Sequence, residues 1–288
     1  MKMKRYFSFI IAFMLLATAF LSGCESSEES SAEPSKTQVS YKLSIKTNGG
    51  MAMEDIGVYV YKTDSPDDLV WGGYTDKNGA VDFFVYGEDS LFAVLKEVPA
   101  GYTAEQRYSL TEGANEITLS AVLLDESALF GQKFKLGSVS LDFSFDTDGK
   151  QYKLSELLKE KQAVVLNFWY INCGPCRSEF PYIKQAYEKY SDKLELIAIN
   201  PYDGTADSVA AYKNELGLEF PVVSAESRWQ EAFGITAYPT TIVIDRFGTV
   251  AMVHHGSFAD AESVEKIFDY FTAEDYVQTT VRNLSDIK

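Results

Sequence analysis

The sequence predicts an all-β sandwich followed by an α/β layer domain, and three observations predict it. Between residues 40 and 124 apolar and polar residues alternate at period two, with turn signals in between. After Phe130-Gly131 strand and helix signals alternate instead, as an α/β fold with mostly parallel strands requires. The chain has 288 residues, enough for about two domains that each bury a core. At 46% hydrophobic and 24% charged residues it is an ordinary globular composition, neither disordered nor polytopic. Its 26 Lys and Arg against 42 Asp and Glu give a formal charge of -16, which argues against nucleic acid as a partner and against attraction to anionic lipid.

The chain begins with Lys2, Lys4 and Arg5 ahead of a mostly apolar run from Tyr6 to Leu21, the charged and apolar regions of a secretory signal. Sixteen residues fall short of the roughly 20 that span a bilayer. The run closes with Leu21-Ser22-Gly23-Cys24, which resembles the lipobox of bacterial lipoproteins. That resemblance implies a signal peptide over 1–23, cleaved before Cys24, with lipid on the Cys24 sulfur and on the new amino terminus. Two or more acyl chains hold a protein stably on a membrane. The alternative is an uncleaved signal anchor with a buried free thiol. Either way the rest of the chain lies outside the cytoplasm, and a lipid anchor puts it on the outer face of the cell membrane, as on a Gram-positive cell surface. The mature protein would carry 23 basic against 42 acidic residues, a charge of -19, so the tether must do the membrane binding. Residues 24–39 are rich in Ser and Glu without apolar periodicity and read as a flexible linker.

In the first domain, 40–124, strands are expected around Tyr41, Leu43 and Ile45, around Ile56, Val58 and Val60, and around Val81, Phe83 and Val85. Further strand-like runs are Leu91 to Leu95, Tyr108 to Leu110 and Ile117 to Leu123, and the spacing suggests a small antiparallel sandwich. The stretches GVYVYKTDSPDDLVWGGYTDKNGAVDFFV and VLKEVPAGYT resemble the prealbumin-like, Cna-B-type repeats of Gram-positive surface proteins. Some of these carry a Lys-to-Asn isopeptide bond assisted by an acidic residue, and Lys46 and Glu97 stand at suitable positions. The last strand has no Asn in its middle, which removes the electrophile. The domain is read as a spacer or a partner-docking module.

The second domain is expected over 131–272, with 273–288 as a C-terminal tail. Ala163 to Tyr170 is a nearly continuous apolar run, as a buried central strand should be. It leads into Asn172-Cys173-Gly174-Pro175-Cys176, then a helix with Phe180, Ile183, Tyr187 and Tyr190 on one face. The CxxC pair thus sits where a strand turns into a helix N-terminus. There the first N–H groups have no internal partners and the helix dipole favours negative charge, so a thiolate at Cys173 is stabilised. Pro175 suits the first helical turn, where its missing donor is not needed. Cys176 comes round to the same face, close enough for a disulfide, so the two sulfurs can cycle between dithiol and disulfide.

VVLNFWYINCGPCRSEFP followed by AFGITAYPTTIVIDRFGTV resembles the thioredoxin superfamily, and within it the membrane-anchored TlpA-like and ResA-like lipoprotein oxidoreductases. The resemblance covers about residues 131–271, includes Pro181, and implies an α/β thioredoxin fold behind the all-β sandwich. It makes Cys173 the attacking thiolate and Cys176 the resolving thiol, with Gly174 and Pro175 between them at the substrate surface. It implies a cis bond before Pro239, with the Tyr238 backbone holding an extended substrate. Glu179 matches an acidic residue that the ResA-like branch keeps near the site, where it handles the proton of Cys176; a solvent-paired helix carboxylate is the other reading. Asn167 replaces the buried Asp of cytoplasmic thioredoxins, as in the TlpA-like branch. Asn172 and Tyr238 depart from the usual residues at the substrate-facing rim.

Other chemistry finds less support. The only histidines, His254 and His255, are adjacent, would point to opposite faces of a strand, and could hardly complete a zinc tetrahedron with the CxxC; they are expected exposed after a strand ending near Val253. No metal and no cofactor beyond the Cys173–Cys176 redox pair is expected. Trp169 and Trp229 read as packing. The function implied is that of an extracytoplasmic thiol-disulfide oxidoreductase acting as a reductase, as the Gly-Pro dipeptide of thioredoxin suggests. Its substrates would be oxidised exported proteins, with apocytochrome c and methionine sulfoxide reductase as examples that would link it to cytochrome c maturation or repair. A CcdA- or DsbD-type membrane protein would donate electrons. The alternatives are a disulfide-forming oxidase, a thiol peroxidase on the same fold, and a non-enzymatic surface binding protein. The leading reading requires a Cys173 sulfur accessible to another protein.

Overall fold

Two four-stranded sheets, one five-stranded sheet and a two-stranded ribbon organise the described residues. The computed structural model describes residues 37–287 apart from 88, 126 and 129–132. The expected signal run, Cys24, most of the linker and Phe130-Gly131 lie outside the described residues.

The first two sheets use β1 (Gln38–Thr47), β2 (Gly57–Lys62), β3 (Leu69–Tyr74), β4 (Ala80–Tyr86), β5 (Leu91–Lys96), β6 (Tyr102–Thr103), β7 (Tyr108–Leu110) and β8 (Gly113–Ala121). Their strand orders are β4-β1-β8-β6 and β3-β2-β5-β7. The alternating residues meet between the sheets: Leu43, Ile45, Ile56, Val58, Val60 and Leu119 are fully buried there. The sandwich is not wholly antiparallel, because β1 and β8 pair in parallel from Tyr41↔Gly113 to Thr47↔Leu119. Period two reports which face a residue takes and says nothing of strand direction, so this pairing was not readable. Lys46 lies on the outer face of β1 and pairs with Glu116 at 2.9 Å. Glu97 follows β5 in the opposite sheet, in the left-handed region at φ 53°.

The second domain runs through β9 (Ser144–Thr147), β10 (Lys150–Lys153), α1 (Leu154–Glu160), β11 (Ala163–Phe168), α2 (Gly174–Tyr190), β12 (Leu194–Asn200), α3 (Ala206–Leu216), β13 (Val222–Ser224), α4 (Arg228–Ala232), β14 (Thr240–Asp245), β15 (Val250–His255) and α5 (Ala261–Thr272). It is a thioredoxin fold with sheet order β13-β12-β11-β14-β15. The expected mostly parallel sheet is half antiparallel: β11, β12 and β13 run together, whereas β14 opposes β11 and returns as β15 through a short hairpin. Every residue of β11, β12 and β14 is buried, because helices cover both faces. Val165 faces the core with α2 and α5, and Val164 and Leu166 face the other, with α1 and α4.

The sandwich meets the thioredoxin fold at the β14–β15 hairpin turn, the end of β14 remote from Pro239. Val139 belongs to the sandwich core, and its neighbours continue into the second domain through the Leu124↔Leu141 and Val139↔Thr249 bridges. Tyr102 OH lies 3.3 Å from Thr249 Oγ1, and Gln278 Nε2 donates to the same oxygen at 2.6 Å. The Thr47 hydroxyl donates to Gln278 Oε1, and the Gln278 N–H donates to the Gly49 carbonyl at 2.8 Å. The segment after α5 therefore ties β1 of the sandwich to the hairpin, and Tyr276 OH adds a 3.0 Å bond to Asp245 Oδ2.

Candidate active site

At the carboxyl end of β11 the chain leaves the sheet, passes Trp169 to Asn172, and enters α2 with Cys173 as N-cap. Cys173 and Cys176 form a disulfide with their Cα atoms 5.3 Å apart. The Cys176 N–H donates to Cys173 Sγ at 3.1 Å, so the unpaired amide of the first turn is spent on the sulfur. Pro175 stands in that turn at no cost in hydrogen bonds, and Gly174 and Pro175 are exposed beside the cystine.

The sulfurs themselves are covered: Cys173 is 1% exposed and Cys176 not at all. This corrects the expectation of an accessible sulfur. Both sulfurs belong to a buried cluster, and an aromatic rim of Tyr170 and Tyr238, with Ile171, packs against that cluster. Tyr170 and Tyr238 meet edge to face at 5.3 Å, one from the loop after β11 and the other from the loop before β14. Those loops lie together because Phe168 and Thr240 are cross-strand partners. The Tyr238-Pro239 bond is cis. Tyr238 OH donates to Gln230 Oε1 at 2.8 Å. Burial pushes its phenol up to about 12, with Tyr202, the Asp203 carboxylate and Tyr170 adding to the shift, so the hydroxyl stays protonated.

Glu179 follows Cys176 by three residues, on the same side of α2. Its side chain is fully buried, which removes the solvent-paired reading. Asn167 Nδ2 donates to its Oε1 at 2.9 Å and the Phe258 N–H to its Oε2 at 3.1 Å. Burial raises its pKa to about 7 against the lowering effect of those two bonds. Asn167 also donates to Thr241 Oγ1 at 3.1 Å.

The expectation for the histidines holds in part, since His255 is exposed, but the strand end and His254 differ. β15 extends to His255, and His254 is half-buried, its ring stacked on Phe258 at 4.7 Å and 15°. The strand continues because His254 and His255 pair with Thr241 and Thr240 at the end of β14. His255 Nδ1 lies 3.0 Å from Thr240 Oγ1. Trp169 is buried against Phe180 and Tyr212, and Trp229 against Phe145 and Phe233. No cluster of three or more metal-ligating side chains occurs among the described residues.

Sequence reasoning missed Asn200, at the end of β12, and Tyr202 and Asp203, in the loop between β12 and α3. Asp203 Oδ1 accepts the Ile171 N–H at 2.9 Å, and so fixes the loop leading into Cys173. A polar Asn-x-x-Asp after a buried strand was the available signal, as a turn whose side chains bond backbone amides.

Over residues 131–253 the chain matches the AhpC/TSA family. It is 30% identical over 134 residues to the thioredoxin-like protein YneN of Bacillus subtilis, covering 46% of this chain and 78% of YneN. It is 33% identical over 131 residues to the thiol-disulfide oxidoreductase ResA of Halalkalibacterium halodurans, covering 45% of this chain and 72% of that protein. Among solved structures it is similar to a thioredoxin-family thiol:disulfide interchange protein from Chlorobium tepidum, at 28% identity and TM-score 0.39, covering 48% of this chain and 96% of that one.

Proposed function

The chain belongs to the thioredoxin-like thiol-disulfide oxidoreductases of the ResA type, and from that premise we propose that it reduces disulfides of exported proteins outside the cytoplasm through Cys173 and Cys176. The observation that carries this reading is a cystine at the start of α2 with a fully buried carboxyl group one turn further along. In the dithiol state the Cys173 thiolate, covered in the resting molecule, is reached when a client parts the aromatic rim; it then attacks the client disulfide, forming a mixed disulfide and releasing one client thiolate. Cys176 then passes its proton to Glu179 and attacks Cys173 Sγ, which forms the cystine and releases the second client thiolate. A proton acceptor near neutrality suits that step, because it can both take and return the proton. Tyr238 and Pro239, with the exposed Gly174 and Pro175, hold the extended client chain across the cystine.

The reductive direction is supported by the Gly-Pro dipeptide shared with thioredoxin, whose potential is about -270 mV against about -120 mV for the oxidant DsbA. A measured potential close to the latter would reverse the assignment to an oxidase. Lys2, Lys4, Arg5, the Tyr6 to Leu21 run and Leu21-Ser22-Gly23-Cys24 support a lipid tether at Cys24 on the outer face of the cell membrane. A reductase there requires a membrane donor of the CcdA or DsbD type, and apocytochrome c or an exported methionine sulfoxide reductase would suit it as client. The test is a pair of variants of the full chain. Cys176→Ser should accumulate mixed disulfides with client proteins on intact cells, and Cys173→Ser should abolish both those adducts and exchange. Adducts formed equally by Cys173→Ser would overturn the roles.

A further inference from the structure

With the sulfurs covered, what a client meets first is the rim. Tyr202 is 70% exposed, yet its ring lies 5.4 Å from Tyr170 and 6.4 Å from Tyr238. Its loop is fixed at several points. Asn200 Oδ1 accepts the N–H groups of Tyr202, Asp203 and Gly204 at 3.0, 3.1 and 3.2 Å, and Asn200 Nδ2 donates to Asp203 Oδ1 at 3.0 Å. Gly204 closes the turn where a Cβ would stand 2.5 Å from Val209 and 2.8 Å from Asn200. An exposed aromatic ring held in place in this way presents contact area without an ordering cost, as binding anchors do.

The loop also brings a charge. The donors to the Asp203 carboxylate, namely the Ile171 N–H, Asn200 Nδ2 and, at 3.5 Å, Asn172 Nδ2, are all neutral groups that leave its charge uncancelled. Aromatic faces beside a carboxylate, on a chain of charge -16, complement a guanidinium or ammonium and repel an acidic segment. We propose that Tyr202 and Asp203, together with Tyr170 and Tyr238, form a client-recognition surface that selects disulfides flanked by Lys or Arg. The proposal rests on the thiol-exchange reading above and adds its substrate class.

The experiment measures second-order rate constants for the pre-reduced full chain in single turnover. Its substrates are bis(2-hydroxyethyl) disulfide and two cystine peptides that differ only in Lys or Glu beside the cysteines. The Lys peptide should react about tenfold faster than the Glu peptide at low salt, the factor that about 1.4 kcal/mol supplies. Salt should shrink the ratio. Asp203→Asn keeps an acceptor for the Ile171 N–H while removing the charge, and should cut the ratio to roughly threefold, since one screened charge contact is worth a fraction of the whole. Tyr202→Ala should slow the Lys peptide several-fold, with Tyr202→Phe restoring it because the ring is the anchor. Equal rates for the two peptides, or a ratio that neither Asp203→Asn nor Tyr202→Ala moves, would overturn the proposal. If even the small uncharged disulfide fails to react, thiol exchange itself is refuted and the proposal goes with it.

Discussion

A carboxyl group with no exposed surface and no cation bonded to it ionises late, and Glu179 is such a group. Its pKa rises from 4.5 to about 7, so the stability it contributes is fully present below about pH 4.5 and is lost as pH rises through about 7. That shift corresponds to roughly 3 kcal/mol. Glu179→Gln should therefore lose less thermal stability than the parent as pH rises from 5 to 8 and be more stable than the parent at pH 8. The remaining slope is owed to Asp245, whose burial raises its pKa to about 6. Release of the second client thiolate should slow about 100-fold. A variant that resolves mixed disulfides at the parental rate would remove Glu179 from the mechanism. The spacing of Glu179 from Cys176 is legible in the sequence. Its burial is not, because one of its two donors is the amide of Phe258, 79 residues away. Asn167 was legible only through family resemblance, since nothing in a lone Asn within an apolar strand says which side chain it will bond.

Among the elements, the link from β15 to α5 bears on the same carboxylate. Phe258 gives its N–H to Glu179 while its ring lies under that of His254, whose buried Nε2 has no hydrogen-bond partner among the described residues. His254 is thus held by its face. His254→Ala should free Phe258, weaken a bond that lowers the Glu179 pKa, and move the pH midpoint of mixed-disulfide resolution upward; His254→Phe should leave it in place. Stopped-flow profiles that coincide for the parent and His254→Ala would refute this. The segment after α5 is the other element that sequence patterns hide. It carries no apolar period, so it reads as a tail, yet Gln278 bonds Thr47, Gly49 and Thr249 at once. Gln278→Ala leaves the buried hydroxyls of Thr47 and Thr249 short of a partner, at a cost of about 1–3 kcal/mol. Thermal unfolding should then shift down by roughly 2–10 °C. α2 was the readable element, because its N-cap, its Pro and its apolar face are all local features.

At the scale of the whole molecule, the cystine and the sandwich occupy opposite ends of β14, separated by about 17 Å of strand. The chain enters at Gln38, roughly 30 Å along β1 from the Thr47 contact. Two domains could be read from the change of period at their junction. Their docking could not, because it depends on single polar residues and on close approach of backbone. Gly101 shows the second: at φ 87° it sits where a Cβ would come within 2.5 Å of Val139. A side chain there is both strained and obstructed. Gly101→Val should accordingly loosen the sandwich from the hairpin. Limited proteolysis should then cut between residues 122 and 138 faster than in the parent, and small-angle scattering should give a larger radius of gyration. Exchange with bis(2-hydroxyethyl) disulfide should stay within about twofold, since a cut contact is felt only by residues that share it. Were exchange to fall in step with undocking, the sandwich would be a working part of the active site. Were the proteolysis and scattering unchanged, the contact around Gly101 would not be what holds the two domains together.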